Sequence, residues 1–398
     1  MSENHPVVEI TDVAHGGSCI GRLPSGKVVF VRHTAPGELV RVALREERAK
    51  RAFGDAIEVL RAHPQRRAHV WPLAAREDLG GAELGHLTLT GQRAFKEAVL
   101  THTLRRIGGV DVAEAAAEAR RPMQPCSPHL GGATRTRLRT IANEDGRVAM
   151  RRFHSHDLVA LDTIPLAVDA LADVSDLRFE AGTRLRHVAP SAGPVQFVPE
   201  QEAPVVHEQV AADGTTFRYR LGADQFWQAH LDAPRLLIEA ALAGLRAPGD
   251  PNGIEVLELY SGVGLLSAPI ARAIGEHGRL TCVEGSAQAV RAARHNCPRT
   301  VQVHKSRIDH RTVGEMVAER TFDAVVLDPP RSGAGERVAA QLASHGATAV
   351  VMIYCDPAAF ARDIAPFLTA GYRVEMIQPF DLFEHTHHME IAAHLTRP

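Results

Sequence analysis

The sequence of 398 residues has no apolar run near the roughly 18 residues that a membrane span needs, so no membrane segment is expected. Its start, Met1 to Ile10, lacks the basic and apolar stretches of a secretory signal, which argues against export and for a cytoplasmic protein. Its five cysteines, Cys19, Cys126, Cys282, Cys297 and Cys355, are odd in number, scattered and free of any C-x-x-C pair. That pattern fits neither a disulfide framework nor a zinc site, so no metal is expected and at most one cysteine needs to be chemical. Nor is there an excess of one charge: the net value of -2 argues against a nucleic-acid partner until local asymmetry is considered. Arg32 to Arg67 holds nine Arg or Lys against five acids, and Ala133 to Arg152 holds six Arg against two. Charge runs are usually solvated surface, so these gain meaning only beside a site.

The length exceeds what one hydrophobic core supports, and texture suggests three domains, 1–62, 63–215 and 216–398. Short alternating apolar runs from Val7 to about Leu60, punctuated by His15-Gly16-Gly17 and Ala35-Pro36-Gly37-Glu38, predict a small β-barrel. The middle region predicts an α+β domain, with helical periodicity over Gly91 to Ile107 stopping at Gly108-Gly109 and strand-like pieces near Arg135 to Arg139 and Asp157 to Leu161. From Phe226 onward, buried-strand runs (Ile254 to Leu259, Leu280 to Val283, Ala324 to Leu327, Ala349 to Ile353) alternate with Ala- and Arg-rich helices. This predicts an α/β fold built on a parallel, doubly wound sheet with ligands at the carboxyl ends of its strands.

The first of these strands runs through Tyr260 into Ser261-Gly262-Val263-Gly264-Leu265. Glycines at a strand-to-helix turn let a nucleotide-like cofactor approach the backbone, but the third glycine of a dinucleotide fingerprint is absent, which disfavours a dehydrogenase. The second strand ends at Glu284, where an acid can accept hydrogen bonds from both ribose hydroxyls. The bland alternative is a surface acid. The strand ending in Asp328-Pro329-Pro330-Arg331 delivers a carboxylate into a loop stiffened by two prolines. The next delivers Cys355, followed by Asp356-Pro357. Alone, Cys355 reads as a small buried hydrophobe, but a strand's carboxyl end beside the acidic loop suits a nucleophile.

Carbon 5 of uracil is a poor nucleophile until a thiolate adds at carbon 6, and a base must then remove the carbon 5 proton so that the cysteine can leave. Glu390, at the entrance of a strand near the carboxyl terminus, is the candidate base; His387 and His388 are rivals whose default role is packing.

Taken together, Phe226-Trp227-Gln228, Leu259 to Gly264, Val283-Glu284-Gly285, Asp328 to Arg331, Cys355-Asp356-Pro357 with Arg362-Asp363, and Thr386-x-His388-x-Glu390 resemble the RNA uracil-5 methyltransferase family, and the amino-terminal pattern resembles an OB-like TRAM barrel. The resemblance implies a class I methyltransferase domain and S-adenosylmethionine as cofactor. It further implies cofactor binding at Gln228, Tyr260, Gly262, Gly264, Glu284 and Asp328, with Cys355 as nucleophile and Glu390 as proton acceptor. RNA is the implied partner, ribosomal 23S RNA favoured over tRNA, and no protein partner is implied. Many relatives hold an iron-sulfur cluster on cysteines, but Leu73 to His86 has none, so no cluster is expected. Two departures, Leu265 after the glycine turn and Asp356 beside the thiol, keep open an alternative, a non-catalytic RNA-binding protein with a decayed methyltransferase fold. A DNA cytosine-5 methyltransferase is disfavoured because Cys355 does not follow a proline, and the Pro-Cys pair of the chain, Pro125-Cys126, lies ahead of the alternating strands.

Overall fold

The computed structural model describes residues 5–126 and 132–397. The chain divides into two compact units.

The first unit comprises Met1–His102, Ala149–Ala160 and Phe383–His388. Five strands, β1 (Val7–Val13), β2 (Cys19–Arg22), β3 (Val28–Arg32), β4 (Leu39–Glu47) and β5 (Arg51–Arg61), close into a barrel in the order β1-β2-β3-β5-β4. Strict in–out alternation explains why: Val8, Ile10, Val29, Val31, Val40 and Val42 fill the interior, while their neighbours along each strand face outward. Beneath the barrel, Arg66 clamps the buried Glu38 through Nε at 2.5 Å and a second nitrogen at 2.7 Å. That ion pair, with amides of Ala35 and His63, holds the Glu38 carboxyl below its usual range although burial opposes this. Helices α1 (Pro72–Glu77) and α2 (Leu89–Thr103) follow the barrel. The Lys96 ammonium, fully buried, donates to the carbonyl of Phe383, and Gln92 donates to His385 while accepting the His385 amide, so α2 fixes the segment Phe383–His388.

The second unit comprises Thr103–Val148, Leu161–Leu382 and Met389–Pro398. A π-turn (Leu104–Gly108) leads to α3 (Val110–Ala119) and the two-residue strand β6 (Gln124–Pro125). β7 (Arg137–Ala142) is followed by β8 (Val148–Arg151) and β9 (Leu158–Ala160), which pair with each other largely within the first unit. After α4 (Asp169–Ala172), β10 (Arg184–Val188) pairs antiparallel with both β7 and β11 (Gln196–Pro199). β12 (Val205–Ala212) and β13 (Thr215–Gly222) form a hairpin around Asp213-Gly214, both at positive φ as a two-residue turn requires.

Helix α5 (Ala233–Leu245) then opens the alternating half: β14 (Glu255–Leu259), α6 (Ser267–Ala273), β15 (Arg279–Glu284), α7 (Ala287–Asn296), β16 (Gln302–Lys305), α8 (His310–Glu319), β17 (Ala324–Leu327), α9 (Glu336–His345), β18 (Ala349–Tyr354), α10 (Pro357–Thr369), β19 (Arg373–Asp381) and β20 (Glu390–Thr396). The sheet order is β16-β15-β14-β17-β18-β20-β19-β6. From β16 to β18 every pairing is parallel, and the order reverses between β14 and β17, which is where such sheets bind ligands. This is the α/β doubly wound sheet expected from the sequence, with one qualification: β20 runs antiparallel to both β18 and β19. The reversal has a chemical consequence. An antiparallel strand brings its first residue, rather than its last, to the carboxyl edge of the parallel sheet.

Candidate active site

Register alone assembles most of the site. Leu259 is level with Val283 on one side and with Leu327 on the other, so the residues that follow, Glu284, Tyr260 and Asp328, end three adjacent strands at one height. The Asp328 amide donates to the Leu259 carbonyl at 3.4 Å and the Tyr260 amide to that of Val283 at 2.9 Å, tying the three strand ends together. On the far side, Tyr354 is paired with Ile391, and one step further along the antiparallel ladder Cys355 stands opposite Glu390.

The turn after β14 fits a nucleoside cofactor. Tyr260 and Gly262 have φ of 65° and 54°, and Gly264 has 93° with its α-carbon so close to α7 that a Cβ would meet Cys297 Sγ at 2.9 Å. The Gly262 amide donates to Glu284 Oε2 at 3.0 Å and the Ser286 amide to Oε1 at 2.7 Å, so the carboxylate is held at the rim of the turn. The Ser261 hydroxyl is buried and has no hydrogen-bond partner among the described residues, as expected of a group turned toward a ligand. Tyr219 donates to the Leu265 carbonyl at 2.9 Å, and Trp227 packs on its ring at 5.1 Å. Gln228, the next residue, is buried there but makes no hydrogen bond to the other candidates among the described residues.

Charge is crowded around the thiol. Burial pushes the Glu390 carboxyl well above its usual range, the Asp328 carboxylate pushes it further, and the Arg331 cation partly opposes both. Burial raises Asp328 to about 7. Half-buried Cys355 is pushed up to about 12, first by burial, then by Glu390 and Asp328, with Arg331 opposing and Asp356 adding least. The suspicion attached to Asp356 is thereby reduced. Its carboxylate caps α10, accepting from the amides of Ala358 at 2.9 Å and Ala359 at 2.8 Å, so the sequence Asp356-Pro357 is a helix start.

Two acids that sequence reasoning gave no role stand behind these groups. Asp363, fully buried on α10, accepts from the Tyr354 hydroxyl and the Gly335 amide, each at 3.1 Å, and from Arg362 Nε at 2.7 Å. Arg362 also donates to the Ser332 carbonyl at 2.8 Å, so this pair holds the loop that begins at Asp328. Glu258, in the middle of β14, accepts from Cys282 Sγ at 3.3 Å and is raised to about 7 by burial. A carboxylate inside an otherwise apolar strand was the readable signal for it. His387 and His388 are not on a strand: they lie in the turn before β20, their ring centroids 4.0 Å apart. Among the described residues no group of three or more His, Cys, Asp or Glu side chains is arranged to hold a metal ion, and no helix is long and apolar enough to cross a membrane.

The profile of the tRNA (uracil-5-)-methyltransferase family matches residues 196–398, and that of the TRAM domain residues 7–57. The chain belongs to this methyltransferase family. It is 36% identical to an uncharacterized RNA methyltransferase of Bifidobacterium longum over 98% of this chain and 96% of that one. A 23S rRNA (uracil(1939)-C(5))-methyltransferase of Halomonas elongata is 30% identical over 100% of this chain and 90% of its own length. Among solved structures, the tRNA (uracil-54, C5)-methyltransferase of Pyrococcus abyssi, in complex with S-adenosyl-L-homocysteine, matches across 100% of both chains with a TM-score of 0.67 and 19% identity, which shows the shared fold. The tRNA (uracil-5-)-methyltransferase family member described here is thus an S-adenosylmethionine-dependent RNA uracil-C5 methyltransferase with a TRAM domain.

Proposed function

We propose that the chain methylates carbon 5 of a uridine in 23S ribosomal RNA, with Cys355 as the covalent nucleophile and Glu390 as the proton acceptor. The carrying observation is the register that sets Cys355 opposite Glu390, with Asp328 and Arg331 near enough for their charges to act on the thiol. Gly262, Gly264, Tyr260, Glu284, Asp328 and Gln228 are the residues proposed to hold S-adenosylmethionine. When bound, that cofactor supplies an electrophilic methyl group.

The chain's own residues do the rest. Cys355 gives its proton to solvent, the Arg331 cation favouring the thiolate, and Sγ bonds carbon 6 of uracil, so that the electron pair released onto the ring makes carbon 5 nucleophilic. Once carbon 5 carries the methyl group, Glu390 takes the proton left on that carbon, the carbon 5–carbon 6 double bond re-forms and Sγ leaves. A carboxylate of ordinary strength accepts a carbon-bound proton poorly, and the burial that strengthens Glu390 as a base suits this step. A base inside a stack cannot reach such a site, so the uridine is flipped out. The working division is a barrel over 1–62, a middle domain over 63–215 and a methyltransferase domain over 216–398, acting in the cytoplasm. The ribosomal preference draws on the Halomonas relative and on the barrel. Mapping 5-methyluridine in tRNA and 23S RNA from a deletion strain tests it: loss from 23S RNA alone is expected, and loss from tRNA alone overturns the preference.

A further inference from the structure

Of the residues that carry the family resemblance, Arg362 and Asp363 have no part in the chemistry above. Asp363 is fully buried on α10, and its two oxygens divide their partners. Oδ2 accepts from the Tyr354 hydroxyl and from the Gly335 amide, each at 3.1 Å, while Oδ1 accepts from Arg362 Nε at 2.7 Å. Arg362 in turn donates to the Ser332 carbonyl at 2.8 Å. Tyr354 immediately precedes Cys355, and Ser332 immediately follows Arg331. Between Pro330 and Gly333 the chain makes a tight turn, closed by the Gly333 amide on the Pro330 carbonyl at 2.7 Å, with Arg331 and Ser332 at its corner. One carboxylate is thus tied on one side to the strand end that carries the thiol and on the other to the turn that carries the cation.

A buried carboxylate is costly unless its bonds are made, so an arrangement that satisfies both oxygens resists displacement of any donor. Burial, and then Asp363 itself, raises the Tyr260 phenol to about 12 and the Tyr354 phenol well above its usual range, so both stay neutral and Arg362 is the charge that answers the carboxylate. The Cys355 thiol faces Glu390 from β20, Asp328 from the end of β17 and Asp356 from its own chain, and the Arg331 cation opposes them. Arg331 is exposed, and a cation in contact with water acts on a thiol only while it is held close. We propose that Asp363 is a positioning residue: through Tyr354 and through Arg362 it fixes the Arg331 turn against the end of β18, so that the cation stays at the thiol. Its use in methyl transfer rests on Cys355 as the nucleophile; its effect on the thiol does not.

The test is a double-mutant cycle read in the alkylation of Cys355 by iodoacetamide at pH 8, on the full chain without RNA. The quantity compared is the factor by which Arg331→Gln slows alkylation in each background, so that changes in reagent access and the lost Asp363 charge both cancel. We expect that factor to be about threefold in the parent, the size of a partly screened charge pair. In Asp363→Asn, where the amide cannot accept from Arg362 and keep its other bonds, it is expected to fall below about 1.5-fold. Melting curves confirm that each variant is folded; if Asp363→Asn is not, Tyr354→Phe, which loses only the hydroxyl between the strand end and Asp363, takes its place with the same expectation. An Arg331→Gln factor equal in the parent and in the variant overturns the positioning role, since a carboxylate that merely stabilises α10 leaves the cation's hold on the thiol unchanged. Methyl transfer reads out the nucleophile separately: in Asp363→Asn kcat is expected to fall about threefold, with KM for RNA within about twofold of the parent. A lost Arg331 factor with kcat unchanged keeps the positioning by Asp363 and counts against Cys355 as the nucleophile.

Discussion

In the substrate-free protein the Cys355 thiol is kept protonated by its surroundings, and its reactivity toward an alkylating agent follows from that. Burial and the carboxylates of Glu390 and Asp328 move its ionisation from 9.0 to about 12. At pH 8 the thiolate share then drops from about one in ten to about one in ten thousand, a factor of roughly a thousand. A more basic thiolate is intrinsically more nucleophilic, which restores a factor of roughly 20 to 30 over that interval. Cys355 is therefore expected to react with iodoacetamide about 30- to 50-fold more slowly than a free cysteine at pH 8, with a rate still climbing at pH 10. Mass spectrometry of the Cys355 peptide after timed quenching gives the rate, and the other cysteines, all buried, do not interfere. Asp328→Asn removes a charge that disfavours the thiolate and is expected to speed alkylation, whereas Arg331→Gln is expected to slow it. Alkylation at the rate of a free cysteine, levelling by about pH 10, would refute the electrostatic account of the site.

Glu258 takes up a proton on folding: its folded-state value of about 7 exceeds the ordinary 4.5, so it costs nothing below pH 4.5, its burden grows as pH rises to 7, and it is constant above. Glu258→Gln is accordingly expected to raise the melting temperature at pH 8, by up to roughly 3 kcal/mol of stability, and to show little gain at pH 4.5. Gly333 has φ of 77°, and a Cβ there would lie 2.5 Å from Asp363 Oδ2 and 2.9 Å from the Ala359 Cβ. Gly333→Ala is expected to lower kcat at least tenfold by displacing the loop that begins at Asp328, with KM for RNA within twofold of the parent. Asp356→Asn keeps the cap of α10 and is expected to be as stable as the parent and at least as active, whereas Asp356→Ala is expected to lose about 1 kcal/mol by thermal or denaturant unfolding.

Legibility followed burial. The strands β14, β15, β17 and β18 are covered on both faces, so each is a continuous apolar run bounded by breakers, and their positions were readable within a residue or two. The short strand β2 was not, because Cys-Ile-Gly-Arg is brief and contains a glycine. The Gly108-Gly109 stop was read as the end of a helix, which it is, but α3 starts directly after it, with Gly109 at φ 89° as the joint. The hairpin at Asp213-Gly214 carried a readable turn signal that the alternating strands beside it supported. In the site, residue types were legible and relations were not. That Glu390 faces Cys355 depends on β20 running antiparallel, a pairing between segments 35 residues apart that no local pattern encodes. Asp356 looked like a threat to the thiol because adjacency in sequence was taken for adjacency in charge; its carboxylate is engaged with amides of α10.

The central claim is a covalent bond between Cys355 and carbon 6 of the target uridine. The direct measurement is mass spectrometry of the Cys355 peptide after incubation with S-adenosylmethionine and substrate RNA, followed by nuclease and protease digestion. In Glu390→Gln, where the carbon 5 proton has no acceptor, the Cys355 peptide is expected to carry a methylated uridine nucleotide. Full methyl transfer by Cys355→Ala would contradict the account.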